Sequence, residues 1–318
     1  MSTHTNTKKK RPAASRRKFL GTMLGALPLA GRRLSAAEAP LRLAISESLV
    51  ADVNMADARA SMAFWLKQMT SDLQMPIEFN PQVFDTTAEI VTRARAGRLD
   101  AAALNIFEYR QLVDVLDPNQ VISEGGAVGQ EQYVVLTKRS SGFDQLKDLR
   151  GRRLCVLKGP KLCASTPWLT TILEEARLGP SDQFFGTITT ETKVSRAILP
   201  VFFGQADACL APKRGFDMMG ELNPQVAKSL SVVANSPPLT VAFYVFRKDY
   251  RGINRERFIR ILSNLRSSPA GKQLSTLFQF EQLTVRDAKC LANSLEILET
   301  ADRITARNKK RSAGTSRS

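Results

Sequence analysis

Short apolar runs and longer amphipathic stretches take turns along this chain. "LRLAIS" (41–46) reads as a strand, and the following "ADARASMAFWLKQMTSDL" predicts a helix with Met62, Trp65, Leu66 and Met69 on one face. "IEFNPQVF" (77–84) reads as a second strand, "TTAEIVTRARAG" as a helix stopped by Gly97, "DAAALN" as a third strand, and "IFEYRQLVDVL" as a helix. A longer strand, "EQYVVLTK", follows. The rhythm then restarts: strand "RRLCVLK" (152–158), helix "TPWLTTILEEARLG", strand "FFGTIT", helix "KVSRAILPVFFG" and strand "DACLA". After "SLSVVANS" comes "VAFYVF" (241–246), apolar enough for a buried strand, and the chain ends in helices expected near 254–265, 269–278 and 284–305. Two successive β-α-β-α-β units predict an α/β protein with two parallel sheets covered by helices.

The first 37 residues follow a different pattern. The apolar run from Phe19 to Gly31 has 13 residues, too few for a membrane span of roughly 20 and about the size of a signal-peptide core. Lysines and arginines precede it and small residues, "LSAAEAP", follow it. Ser15-Arg16-Arg17-Lys18-Phe19-Leu20 resembles the twin-arginine export motif S-R-R-x-F-L, which implies a bacterial protein that folds before export and uses the twin-arginine translocase. Cleavage is expected after Ala37; cleavage after Ala39 would leave a proline at the new N-terminus. No cysteine follows the core, so no lipid anchor is indicated.

Charge looks decisive at first, with a net +16, but its placement changes the picture. Residues 1–37 hold 9 Lys and Arg and no acids, residues 303–318 hold 6 and no acids, and residues 38–302 hold 31 basic against 30 acidic residues. A nearly neutral body argues against nucleic acid as a partner. The tail "RNKKRSAGTSRS" and its flank, 303–318, read as disordered and basic. The single histidine, His4, precedes the expected cleavage point. The mature chain thus lacks histidine triads, histidine bases and most zinc sites. Cys155, Cys163, Cys209 and Cys290 match no metal or redox spacing. No metal and no cofactor is expected.

Four stretches carry a family resemblance. "GRLDAAALNIFEY", "FDQLKDLRGRRLCVLKG", "AILPVFFGQADACLA" and "ANSPPLTVAFYVFRKD" resemble, in order and at similar spacing, segments of phosphate-, phosphite- and phosphonate-type periplasmic solute-binding proteins of ABC importers, over Leu41 to Asp249. The resemblance implies two α/β lobes with mostly parallel sheets joined by two crossing hinge strands, a helical C-terminus, and a ligand held in the cleft. Lobe 1 would be 41–136 plus 241–302 and lobe 2 would be 137–238. It further implies a periplasmic receptor, monomeric, for a small oxyanion, with an importer permease as partner and no catalytic role.

Candidate ligand contacts follow from the residues. "KGPKLCASTPWL" (158–169) leaves a strand and opens a helix, so backbone N–H groups there favour an anion. Ser165 or Thr166 can cap that helix and also supply hydroxyl donors, with Lys158 and Lys161 nearby. The family's motif in this region is S-T-S-G, whereas this chain has Ala164-Ser165-Thr166-Pro167. Asn105 and Tyr109, at the end of "DAAALN" and in the next helix, and Ser46, ending the first strand, are candidates from lobe 1. The resemblance places Asp207 where a ligand amino group can be met, and Lys193 where the family often has a histidine. Two other readings stay open: a Cys163-dependent enzyme on the same fold, and a ligand sensor coupled to a membrane partner.

Overall fold

The computed structural model describes residues 39–50, 54–71, 74–125, 130–278 and 280–315, with side chains up to residue 310. The expected export signal and its cleavage point lie outside the described residues. The strands predicted by the most apolar runs, such as those at 41–45, 101–105 and 133–138, form with nearly every residue buried. Strand β1 (Leu41–Ile45) and β3 (Ala101–Asn105) pair in parallel, with β2 (Ile77–Glu78) on the outer side of β1. Strand β10 (Ala242–Phe246) returns antiparallel beside β3, and β4 (Gln120–Glu124) and β11 (Leu283–Asp287) complete a six-stranded sheet of order β11-β4-β10-β3-β1-β2.

The second sheet has five strands in the order β7-β6-β8-β5-β9: β5 (Tyr133–Lys138), β6 (Arg153–Leu157), β7 (Thr187–Glu191), β8 (Ala208–Pro212) and β9 (Leu230–Asn235). Strand β6 is parallel to β7 and β8, while β5 is antiparallel to β8 and β9. The protein thus has the expected two α/β lobes, with mixed rather than mostly parallel sheets. The cause is the double crossing: β5 and β10 each enter a sheet from the other lobe and run against the strands beside them. The two crossing segments pair with each other, since Glu131 and Leu239 exchange both backbone hydrogen bonds at 2.8 Å.

Helices α1 (Met55–Ser71), α9 (Asn254–Ser263) and α10 (Pro269–Leu277) cover one face of the first sheet, burying Met62, Trp65, Leu66, Met69, Phe258, Leu262 and Leu274. Helix α2 (Thr87–Arg95) opens with a Thr86/Glu89 capping box and stops at Gly97, whose φ of +67° suits glycine. Its Ile90 and Ala94 join α3 (Ile106–Arg110) on the other face. The apolar core on that face continues into the second lobe, where α4 (Ser165–Glu175), α5 (Ser181–Phe184), α6 (Val194–Phe202), α7 (Lys213–Leu222) and α8 (Pro224–Ser229) lie around the second sheet.

Several boundaries differ from the expectation. The lobe boundary expected at 136 falls inside β5, all of which pairs in the second sheet. Only Ile77–Glu78 of the 77–84 stretch is strand, because a turn at Asn80–Val83 interrupts it. The helix expected from 284 begins later: Leu283–Asp287 pairs with β4, and α11 spans Ala292–Thr315. The tail expected to be disordered is therefore helical as far as Thr315. Ile304 is buried and Arg307 pairs with Glu174 on α4, so the helix is anchored beyond 302. Once the helix is nucleated and anchored, each further residue adds one backbone hydrogen bond at little cost.

Candidate functional site

The carboxyl ends of β1 and β3 face the carboxyl end of β6 across a seam between the lobes, where the single turn Glu47–Val50 meets the turn Pro160–Leu162. Open α/β sheets place ligands at this edge. The first-lobe wall is built around one carboxylate. Glu108 is 2 % exposed. Its Oε1 accepts from Ser46 Oγ at 2.5 Å and Thr87 Oγ1 at 2.8 Å. Its Oε2 accepts from the Asn105 backbone N–H at 2.9 Å and Ser48 Oγ at 3.3 Å. The local cause is the capping box of α3, in which Asn105 Oδ1 accepts from the N–H groups of Phe107 and Glu108 while Glu108 reaches back. The Asn105 amide then donates to Ser48 Oγ at 2.9 Å.

The second-lobe wall is the turn leading into α4. Tyr133, buried in β5, donates its hydroxyl to the Lys161 carbonyl at 2.8 Å and ties the turn to the sheet. Helix α4 starts at Ser165, and its cap is Ala164, which makes no side-chain cap bond. The expectation that Ser165 or Thr166 caps this helix is thus corrected: both lie in its first turn. The first N–H groups of a helix have no partner within it, and the cap residue Ala164 supplies none from its side chain. Ser165 is 1 % exposed and its buried Oγ has no hydrogen-bond partner among the described residues. Lys158 Nζ lies 3.4 Å from Thr166 Oγ1, and Lys161 Nζ lies 3.5 Å from Glu124 and 3.8 Å from Glu131 across the seam. Burial raises Glu131 above the usual carboxylate range, and Lys161 only partly offsets it.

Cys163 belongs to the same turn. Burial pushes its thiol up to about 12, so it stays protonated at neutral pH. That is the opposite of the activated thiolate that a nucleophilic role requires.

Of the residues singled out from sequence, Ser46 and Asn105 lie on the first-lobe wall, turned onto Glu108, and Ser165 and Thr166 lie on the second-lobe wall in the first turn of α4. Tyr109 is in α3 but packs its ring edge-on to Phe243, with centroids 5.3 Å apart, and burial raises its phenol. Lys193 is exposed at the start of α6. Asp207 is displaced from the seam. It precedes β8, at the amino end of the sheet, where both its oxygens accept from the Arg153 guanidinium at 3.0 Å. The Arg153 hydrogen bonds hold this carboxyl below its ordinary range. Its contribution to stability is therefore complete above the unfolded pKa, roughly 4, and is lost as pH falls through the folded value. Asp207→Asn is expected to lower stability at pH 7 while flattening its decline toward pH 3, with ligand affinity unchanged. Unfolding midpoints across pH and one titration check all three. Glu108 was missed from sequence; its signal was the N-x-x-E spacing of Asn105 and Glu108.

Two surface hollows lie elsewhere. One, of about 470 Å³, is lined by Asp117, Lys248, Arg251 and Arg255 on the first lobe, with Arg255 already bonded to Asp117 at 2.7 Å.

The family model for the periplasmic substrate-binding protein of the phosphonate ABC transporter matches residues 48–289. The chain belongs to this family. Its members are substrate-binding proteins rather than enzymes, and they act outside the cytoplasm as the binding components of ABC transporters. A protein of Xanthomonas citri solved bound to ATP is 14% identical, with a TM-score of 0.57 over 84% of this chain and 98% of that one. A Prochlorococcus marinus protein solved in complex with methylphosphonate is 17% identical, with a TM-score of 0.54 over 82% of this chain and 98% of that one. A binding-protein component of a phosphonate ABC transporter from Pseudomonas aeruginosa is 15% identical, with a TM-score of 0.50 over 88% and 99%. At these identities the likeness is one of fold. A search of curated proteins finds no match. As a family member, the protein is a solute-binding receptor that takes a small ligand to a membrane permease.

Proposed function

We propose that this receptor binds a small oxyanion of the phosphonate, phosphite or phosphate class at the first turn of α4. The carrying observation is the buried Ser165 hydroxyl, without a partner among the described residues, on a helix start whose cap residue makes no side-chain bond. Such a turn aims N–H donors, a hydroxyl and the positive end of the helix at one point, and Lys158 and Lys161 add positive charge. The lobes close on the ligand about the paired crossing segments at Glu131 and Leu239, and the closed form delivers it to the permease. Methylphosphonate in a protein of the same fold supports the ligand class. The chain acts as a monomer without catalysis of its own. It reaches the periplasm through the twin-arginine translocase, with Glu38 as its mature N-terminus.

A thermal-shift series of the mature chain with phosphate, phosphite, methylphosphonate and a sulfonate tests this reading. A bound ligand at 100 times its dissociation constant adds about 2.7 kcal/mol of stability. Ser165→Ala is expected to weaken the best of these anions about tenfold, the worth of one charge-assisted hydrogen bond, without lowering the unfolding midpoint of the free protein. No shift with any anion would refute the ligand class. A stability loss with unchanged affinity would move the site away from α4.

A further inference from the structure

The first-lobe wall of the seam carries a set of donors that suits an anion: the hydroxyls of Ser46, Ser48 and Thr87 and the backbone N–H of Asn105. All four converge on one point, and that point is filled by the protein's own carboxylate, Glu108. A carboxylate offers about four lone-pair positions, so four donors saturate it and are themselves spent. Ser48 also gives its backbone N–H to Ser46 Oγ at 3.1 Å, and Ser48 Oγ accepts from the Asn105 amide. The wall is closed on itself. Glu108 also acts across the seam, since its charge helps to raise the Cys163 thiol in the turn that leads into α4.

We propose that Glu108 is a specificity-determining residue, a built-in anion that occupies the first-lobe donors and leaves the α4 turn as the one place for a ligand's charge. This rests on the proposed site at α4 and deepens it. A symmetric inorganic oxyanion gains most from donors on all sides. Here it meets donors on one side and a buried negative charge on the other. An oxyanion with one uncharged substituent presents oxygens to α4 and the substituent to the Glu108 wall, and escapes most of that repulsion. The receptor therefore selects organo-oxyanions over inorganic ones of the same head group.

The test compares methylphosphonate with inorganic phosphate, which differ by one methyl-for-hydroxyl exchange, by titration calorimetry on the mature chain. The wild type is expected to bind methylphosphonate about tenfold or more tightly than phosphate. Glu108→Gln keeps the shape and removes the charge, and is expected to narrow that ratio at least fivefold by gaining phosphate affinity. Glu108→Ala removes the charge together with the side chain and frees the four donors, so it too is expected to narrow the ratio by gaining phosphate affinity. This variant serves as the test should Glu108→Gln fail to fold. An unchanged ratio in Glu108→Gln or Glu108→Ala, or phosphate bound as tightly as methylphosphonate by the wild type, overturns the proposal while the α4 site stands. Binding of neither anion by wild type or variant overturns both.

Discussion

Thr166→Asp is expected to abolish oxyanion binding while leaving the protein folded. Thr166 is the second residue of α4, half-buried, with Lys158 Nζ at 3.4 Å from its hydroxyl. A carboxylate in the first turn of a helix is favoured by the dipole, by about 0.3–1 kcal/mol, and Lys158 stands ready to pair with it. Stability of the free protein should therefore hold or rise. The same carboxylate would stand about 4 Å from the ligand's charge, a repulsion of about 4 kcal/mol at an intermediate dielectric, or about a thousandfold in affinity. Calorimetry and urea unfolding on this one variant separate the two effects. Affinity within tenfold of wild type would mean that the anion sits elsewhere.

Leu298→Ala is expected to cost about 2–5 kcal/mol, the range for emptying a buried leucine site. Leu298 is 1 % exposed on α11, which packs against α4 in the second lobe and α3 in the first. Both α3 and α4 begin at the seam, so this helix braces the two walls from behind. Arg110 on α3 pairs with Asp302, and Arg307 pairs with Glu174 on α4, adding polar ties at the same junction. The loss would be read from urea unfolding monitored by fluorescence of Trp168 and Trp65, one in each lobe. A loss below 1 kcal/mol would show that α11 is not part of the shared core.

The strand and helix order was legible because burial imposes its period locally. The face of α1 with Met62, Trp65, Leu66 and Met69 is buried as its spacing implied, and "LRLAIS" and "DAAALN" became neighbouring strands. Strand β4 was not legible. "QVISE" is short and polar at both ends, and it is strand only because β10 and β11, more than 100 residues away, flank it. The α4 turn could be found from "KLCASTPW", since a helix start after a strand is a local pattern. That Ser165 would be left without a partner depends on the tertiary packing over it. Glu108 shows the limit most clearly. Its capping role is local, but the donors Ser46, Ser48 and Thr87 come from segments 21 to 62 residues upstream. Asp207 was placed at the site by resemblance, yet its Arg153 partner is 54 residues away on a neighbouring strand and holds it at the far edge of the sheet.

The most direct measurement is a crystal structure of the mature protein grown with methylphosphonate. The account predicts phosphonate oxygens within hydrogen-bond reach, about 2.7–3.2 Å, of the Ser165 hydroxyl and the first N–H groups of α4, with the methyl group toward Glu108. Phosphonate bound at any other place, with Ser165 still unpartnered, would contradict it.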